Sequence, residues 1–161
     1  MKKSHILTIV GTVAALGLVY YVASPVEQAT ASVTLKPNEP AVVALGEQVY
    51  AQNCAACHGA KLEGQANWRQ RGFNGYMPAP PHDETGHTWH HPDSYLFTMT
   101  KYGIEKMIGK PYPNNMPAYE DDLTDEEIIA ALSFIKSTWP KRIQRRHDQM
   151  NARANQHSKD T

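Results

Sequence analysis

The sequence has almost no cysteine: two in 161 residues, Cys54 and Cys57. Both stand in one short run, so there is no disulfide framework and no second pair to complete the four-ligand cage of a structural zinc site. Net charge is missing as well. Lys+Arg 16 against Asp+Glu 16 gives a formal charge of +0, and nothing in that balance points to nucleic acid or another polyanion as partner. Ahead of Cys54 there is no alternation of apolar and polar residues, which removes the strand-first setting of a thioredoxin-type redox pair. Uncharged apolar stretches of any length are absent with one exception, at the N-terminus.

What is present is Cys54-Ala-Ala-Cys57-His58. A Cys-x-x-Cys-His run is the attachment signature of c-type haem. Two thiols three residues apart on one helical turn share a face, so both can add to the two vinyl groups of one haem. The histidine that follows lies close under the porphyrin plane, where a ring nitrogen ligates iron. A disulfide between residues three apart is strained and does not compete well with this reading.

The exceptional apolar stretch is Ile6 to Ala23, eighteen residues without a charge, preceded by Lys2 and Lys3. Residues 1–23 read as an export segment and, at this length, as an uncleaved membrane anchor with Tyr20 and Tyr21 at the outer interface. Ala29-Thr30-Ala31 offers the small-x-small site of the other reading, a cleaved signal. Either way the lysines stay inside, and Cys54 lies on the periplasmic side of the cytoplasmic membrane. Residues 24–37 mix small, polar and proline residues and read as a linker.

Residues 38–140 carry the helical periodicity. Val42, Leu45, Gly46, Val49 and Tyr50 place one buried face on a helix from about Pro40 to Asn53, which delivers Cys54 at its end. Gly46, a poor helix former, marks close approach of another helix. The stretch from Gly59 to Pro81 is loop, long enough to wrap the edge of a flat cofactor. Trp68 is expected as an apolar wall there, and the carbonyl of Pro80 or Pro81 as acceptor for the far nitrogen of His58. A second helix runs from Pro92 to Tyr102 and closes at Gly103. Thr124-Asp125-Glu126-Glu127 is a capping box opening a last helix whose stripe is Ile128, Leu132, Ile135 and Trp139. Residues 141–161 form a basic polar tail, expected to be helical to about Asn151 and solvated.

Residues 82–91 hold four histidines, His82, His87, His90 and His91. One reading is a second metal site, copper in particular, because imidazole suits it. The other is packing: Trp89 and one or two histidines against the haem and its propionates. Six acids between Glu120 and Glu127 serve the positive end of the last helix or a docking patch for a basic redox partner.

The occupant of the second axial position decides the chemistry. An open site permits peroxide or gas chemistry, whereas a thioether closes it and leaves electron transfer. Met1 and Met150 lie at the ends, Met99 on a helix stripe, and Met107 beside Ile-Gly. Met77-Pro78 follows His58 by only nineteen residues, and a histidine of the 82–91 run is a further candidate. Met116, in Asn114-Asn115-Met116-Pro117 just before the capped helix, sits on a loop long enough to cross the opposite haem face.

From Gly46 to Trp139 the chain resembles the class I c-type cytochromes. The shared pieces are Gly46-x-x-x-Tyr50, Cys54-Ala-Ala-Cys57-His58-Gly59, Met116-Pro117, and the capped helix ending Phe134-Ile135-Lys136-Ser137-Thr138-Trp139. The resemblance implies an all-α, cytochrome c-like domain around one covalent haem c. It implies His58 and Met116 as axial ligands and one-electron shuttling between a donor and an acceptor protein, with no small-molecule substrate and no enzymatic step. The chain departs from the pattern in its histidine run and at Ala66, where many members carry a proline.

Overall fold

The computed structural model describes residues 33–157, and every described element is helical or loop. The apolar run 6–23 and the proposed cleavage site lie outside the described residues. Among those described, no helix is long and apolar enough to cross a membrane.

Helix α1 spans Pro40–Asn53, with proline in its first turn. A single turn, α2, Ala55–His58, follows directly, and Cys54 is the shared cap between them. A 3-10 turn covers Thr88–His90. Helix α3 runs Asp93–Ile108, α4 Asp125–Thr138 and α5 Lys141–His157.

The principal contact is α1 across α4. Gly46 is buried, and a Cβ built there would collide with the Ala130 carbonyl and come within 2.9 Å of the Phe134 Cβ. Only glycine lets the two backbones approach this closely. The predicted stripe of α4 is the core: Ile128, Leu132, Ile135 and Trp139 are all buried with Tyr50, Leu96 and Phe97. Each such side chain contributes about 1.5–3 kcal/mol of hydrophobic stabilisation. The capping box forms in both directions, Glu127 N donating to Thr124 Oγ1 and Thr124 N to the Glu127 carboxylate.

Two expectations need correction, and a third is extended. The second helix does break at Gly103, which takes φ 79° and ψ 159°, and a further helical stretch runs on to Ile108. Glycine tolerates the break, and the freed carbonyls of Thr100 and Lys101 accept the backbone N–H of Tyr119 at 3.2 and 3.1 Å. The segment read as linker is not free over residues 33–37. Leu35 is buried in the core, its N–H donates to Asp93 Oδ2 at 2.9 Å, and Lys36 N donates to Ser133 Oγ.

The basic tail, finally, is a docked helix. Ile143, Gln144 and His147 of α5 are buried. His147 Nε2 donates to the His91 carbonyl, Asn151 bridges to the Asp93 carboxylate, and the buried Lys136 ammonium meets Asp148 at 2.6 Å. Asp93 therefore ties the N-terminal segment, α3 and α5 together with each carboxylate oxygen hydrogen-bonded, which is what makes burying it tolerable.

Candidate haem-attachment site

The motif is held rigid from both ends. Cys54 N donates to the Tyr50 carbonyl and His58 N to the Cys54 carbonyl, each at 2.9 Å, so the thiols ride on continuous helical backbone. Two buried phenols bracket the turn. Tyr119 Oη donates to the carbonyl of Asn53, immediately before Cys54, at 2.7 Å. Tyr50 Oη donates to the carbonyl of Gly59, immediately after His58, at 2.8 Å. Burial raises both phenols, Tyr119 to about 12, so they act as donors at all ordinary pH values. Tyr119 was not singled out by the sequence. Its only signal is an aromatic three residues beyond Met116 in an otherwise polar stretch.

Cys54 is half-buried and Cys57 exposed. Burial, then the neighbouring Cys57, raises Cys54 to about 11.

His58 is buried, and its Nδ1 donates to the Pro80 carbonyl at 2.8 Å. Burial lowers its pKa and the Pro80 bond partly offsets this. The ring is thus neutral with Nδ1 protonated, which leaves the Nε2 lone pair for a metal. The Pro80 carbonyl is itself fixed. Gln65 N donates to Ala79 O, Ala79 N donates to Gln65 Oε1, and Gly64 N donates to His58 O at 2.7 Å. Two thiols on one turn and an oriented imidazole beside them are the donor set that covalent haem requires. Apolar Leu62, Leu96, Phe97 and Met99 pack with Cys54 and Ala55 in the same cluster. The residues fit the group.

Met116 is half-buried, and its N–H donates to Asn114 Oδ1. It lies three residues before Tyr119, whose hydroxyl touches the residue preceding Cys54. Trp68 stacks on His87 at 5.3 Å under the Arg69 guanidinium. Trp89 packs at the edge of the core, with its ring on His90 at 3.7 Å, Arg146 over its face, and its indole N–H on the Glu84 carbonyl.

The four histidines do not form a metal cage. His82 stacks on His58 at 4.0 Å, His90 on Trp89, and His91 on Tyr95 at 4.3 Å, while His87 lies between Trp68 and His91. Each ring is taken by an aromatic neighbour. Among the described residues no three His, Cys, Asp or Glu side chains converge as a metal site. The copper reading therefore has no support. Packing places His82 alone of the four against His58, and burial lowers its pKa well below the usual imidazole range.

A family model described as cytochrome c matches residues 43–139. Neither a curated protein nor a solved structure matches the chain.

Proposed function

The chain belongs to the cytochrome c family, and from that membership we propose a mono-haem, class I electron carrier with His58 and Met116 as the iron's axial ligands. The family carries haem c covalently, here on Cys54 and Cys57, and serves haem-based electron transfer between redox proteins. The finer reading rests on one observation. His58 has its Nδ1 committed to Pro80 and its Nε2 available, while the loop bearing Met116 is pinned by Tyr119 to the backbone just before Cys54.

When bound, the haem supplies a reversible one-electron centre. The residues do the rest. The Pro80 carbonyl fixes the plane and basicity of the His58 ring. Met116 would hold the iron through its thioether, a soft donor that would favour the ferrous state and raise the potential. With the iron so held no substrate bond would be made or broken, so the chain acts as a carrier and not an enzyme. Lys2, Lys3 and the apolar run 6–23 support an anchored placement on the periplasmic side of the cytoplasmic membrane. That placement rests on the sequence alone.

The test is a redox titration with optical spectra of the full-length holoprotein and of Met116→Ala. Each tenfold preference of the thioether for ferrous over ferric iron corresponds to about 59 mV, so the variant's potential is expected to fall by at least that much. The far-red band of sulfur-ligated ferric haem disappears with it. A variant indistinguishable from the parent in both respects removes Met116 from the iron.

A further inference from the structure

Arginines gather on one stripe of α5. Arg142, Arg145, Arg146 and Arg153 follow the i, i+3, i+4, i+11 spacing of a single helix face, and the buried stripe through Ile143 and His147 lies on the other side. Facing the arginines are Trp89 and His90 of the 3-10 turn, and together they line a groove of about 620 Å³. Among the described residues the ion pairs involve Lys36, Lys101, Lys106, Lys136 and His147, and none of these four guanidiniums. The chain's own acidic stretch is partly spent, because Glu120 pairs with Lys106 and Asp125 with Lys101. Four like charges in one groove, with no ion-pair partner among the described residues, repel each other, and an opposite charge entering the groove relieves that repulsion.

The chemistry of the lining selects the occupant. Guanidinium forks pair with carboxylates in bidentate fashion. The Trp89 indole, beneath Arg146 at 5.1 Å, and the Met150 side chain on the groove wall add apolar surface for which a bare inorganic anion has no use. Arginine beside a half-buried tryptophan is the composition of a protein-binding hot spot. The groove also connects to the haem site. Thr88, next to Trp89, shares a 2.8 Å hydrogen bond between its hydroxyl and His82 Nδ1. The His82 ring lies on the His58 ring at 4.0 Å and 23°. Its place is fixed by its backbone, with N–H donating to Leu62 O and carbonyl accepting from Trp139 Nε1.

We propose that this groove is the docking site for the acidic face of a redox partner protein, and that Thr88, His82 and His58 form the contact route between that partner and the haem. The proposal rests on the carrier reading and on His58 as axial ligand. One electron crosses. The partner's centre changes by one electron and the haem iron by one in the opposite sense, and no proton, atom or bond is transferred.

The experiment uses full-length holoprotein in detergent, a hexaglutamate peptide as binding probe, and ferricyanide as anionic oxidant of the reduced protein. Calorimetry is expected to show peptide binding that weakens with salt and falls at least tenfold in the triple variant Arg145→Gln, Arg146→Gln, Arg153→Gln. Lys110→Gln, outside the groove, leaves it unchanged. In stopped flow, saturating peptide slows ferricyanide oxidation of the parent, and so does the triple substitution. A cationic cobalt(III) oxidant is not slowed. Thr88→Val, compared at its own measured driving force, slows the ferricyanide reaction severalfold with peptide binding retained.

The proposal is overturned if the triple variant binds the peptide as the parent does, or if peptide fails to slow ferricyanide. It also fails if Thr88→Val reacts at the parent's rate, or if pyrophosphate displaces the peptide at tenfold lower concentration, which would make the groove a phosphate site. Spectra of the parent report separately on the carrier reading. A parent without sulfur-ligated iron sinks that reading, whereas the calorimetry speaks only to the groove.

Discussion

Gly46→Ala is the most informative single change, because two effects of opposite sign meet there. As a helix residue alanine is better than glycine by about 1 kcal/mol. Against this, the new Cβ would lie 2.5 Å from the Ala130 carbonyl carbon and 2.9 Å from the Phe134 Cβ, where ordinary contact begins at 3.4 Å. The Ala130 obstruction is backbone in the middle of α4 and cannot rotate aside, so the helices must separate by about 1 Å. A gap of that size forfeits roughly a quarter to a half of the dispersion energy of each contact it opens. Overpacking of this kind costs about 1–3 kcal/mol and sometimes more. With backbone as the obstacle and the principal helix contact affected, the upper end applies.

After the propensity gain, a net loss of about 2 kcal/mol is expected, a fall in Tm of roughly 6–10 °C for a body of this size. Thermal unfolding of the holoprotein, followed by far-UV circular dichroism and haem absorption together, measures it. Gly46→Val should be worse by both probes. An unchanged or raised Tm in Gly46→Ala would mean that propensity wins and that the close crossing of α1 over α4 is wrong.

Gly64→Ala should disturb the His58 imidazole from a distance, because φ at Gly64 is +68° and a Cβ there would sit 2.6 Å from the Pro80 carbonyl carbon. The Pro80 acceptor is pushed off His58, the ring becomes less basic, and the potential should rise; a folded variant with the parent's potential argues against the role given to Pro80. Acid sensitivity should come in part from His147, whose pKa is lowered from 6.5, chiefly by burial and then by Lys136, against the opposing Asp93 and Asp148 carboxylates. A lowered histidine means the unfolded chain takes up the proton first, so this stability is complete above about pH 6.5 and declines as pH falls toward the folded-state value. Urea midpoints between pH 7 and 5 should decline less steeply in His147→Gln, and equal slopes would refute the assignment. Asp148→Asn leaves the Lys136 ammonium, 3% exposed, without its partner. Because Asp148 itself is 61% exposed, the cost should be about 1–2 kcal/mol, below that of a fully buried pair, and proteolysis should begin in α5.

What could be read from the residues in order was whatever local chemistry dictates. The Cys54–His58 spacing names its cofactor because two thiols and an imidazole on one turn suit little else. The bounds of α1, the capping box at Thr124 and the stripe through Trp139 follow from proline, caps and periodicity within a single element. Tertiary structure decided the rest, because it turns on partners far apart in sequence. Tyr119 reaches the motif with its hydroxyl while its own N–H is held by the Thr100 and Lys101 carbonyls ahead of the break at Gly103. The run from His82 to His91 left a metal site and packing both open in the sequence; its rings go to four separate aromatic neighbours, and His82 turns inward onto His58. The basic C-terminal residues read as a solvated tail because α5 is polar on most of its surface. Its attachment depends on a few buried contacts to Asp93, His91 and Lys136, which no periodicity within the helix reveals.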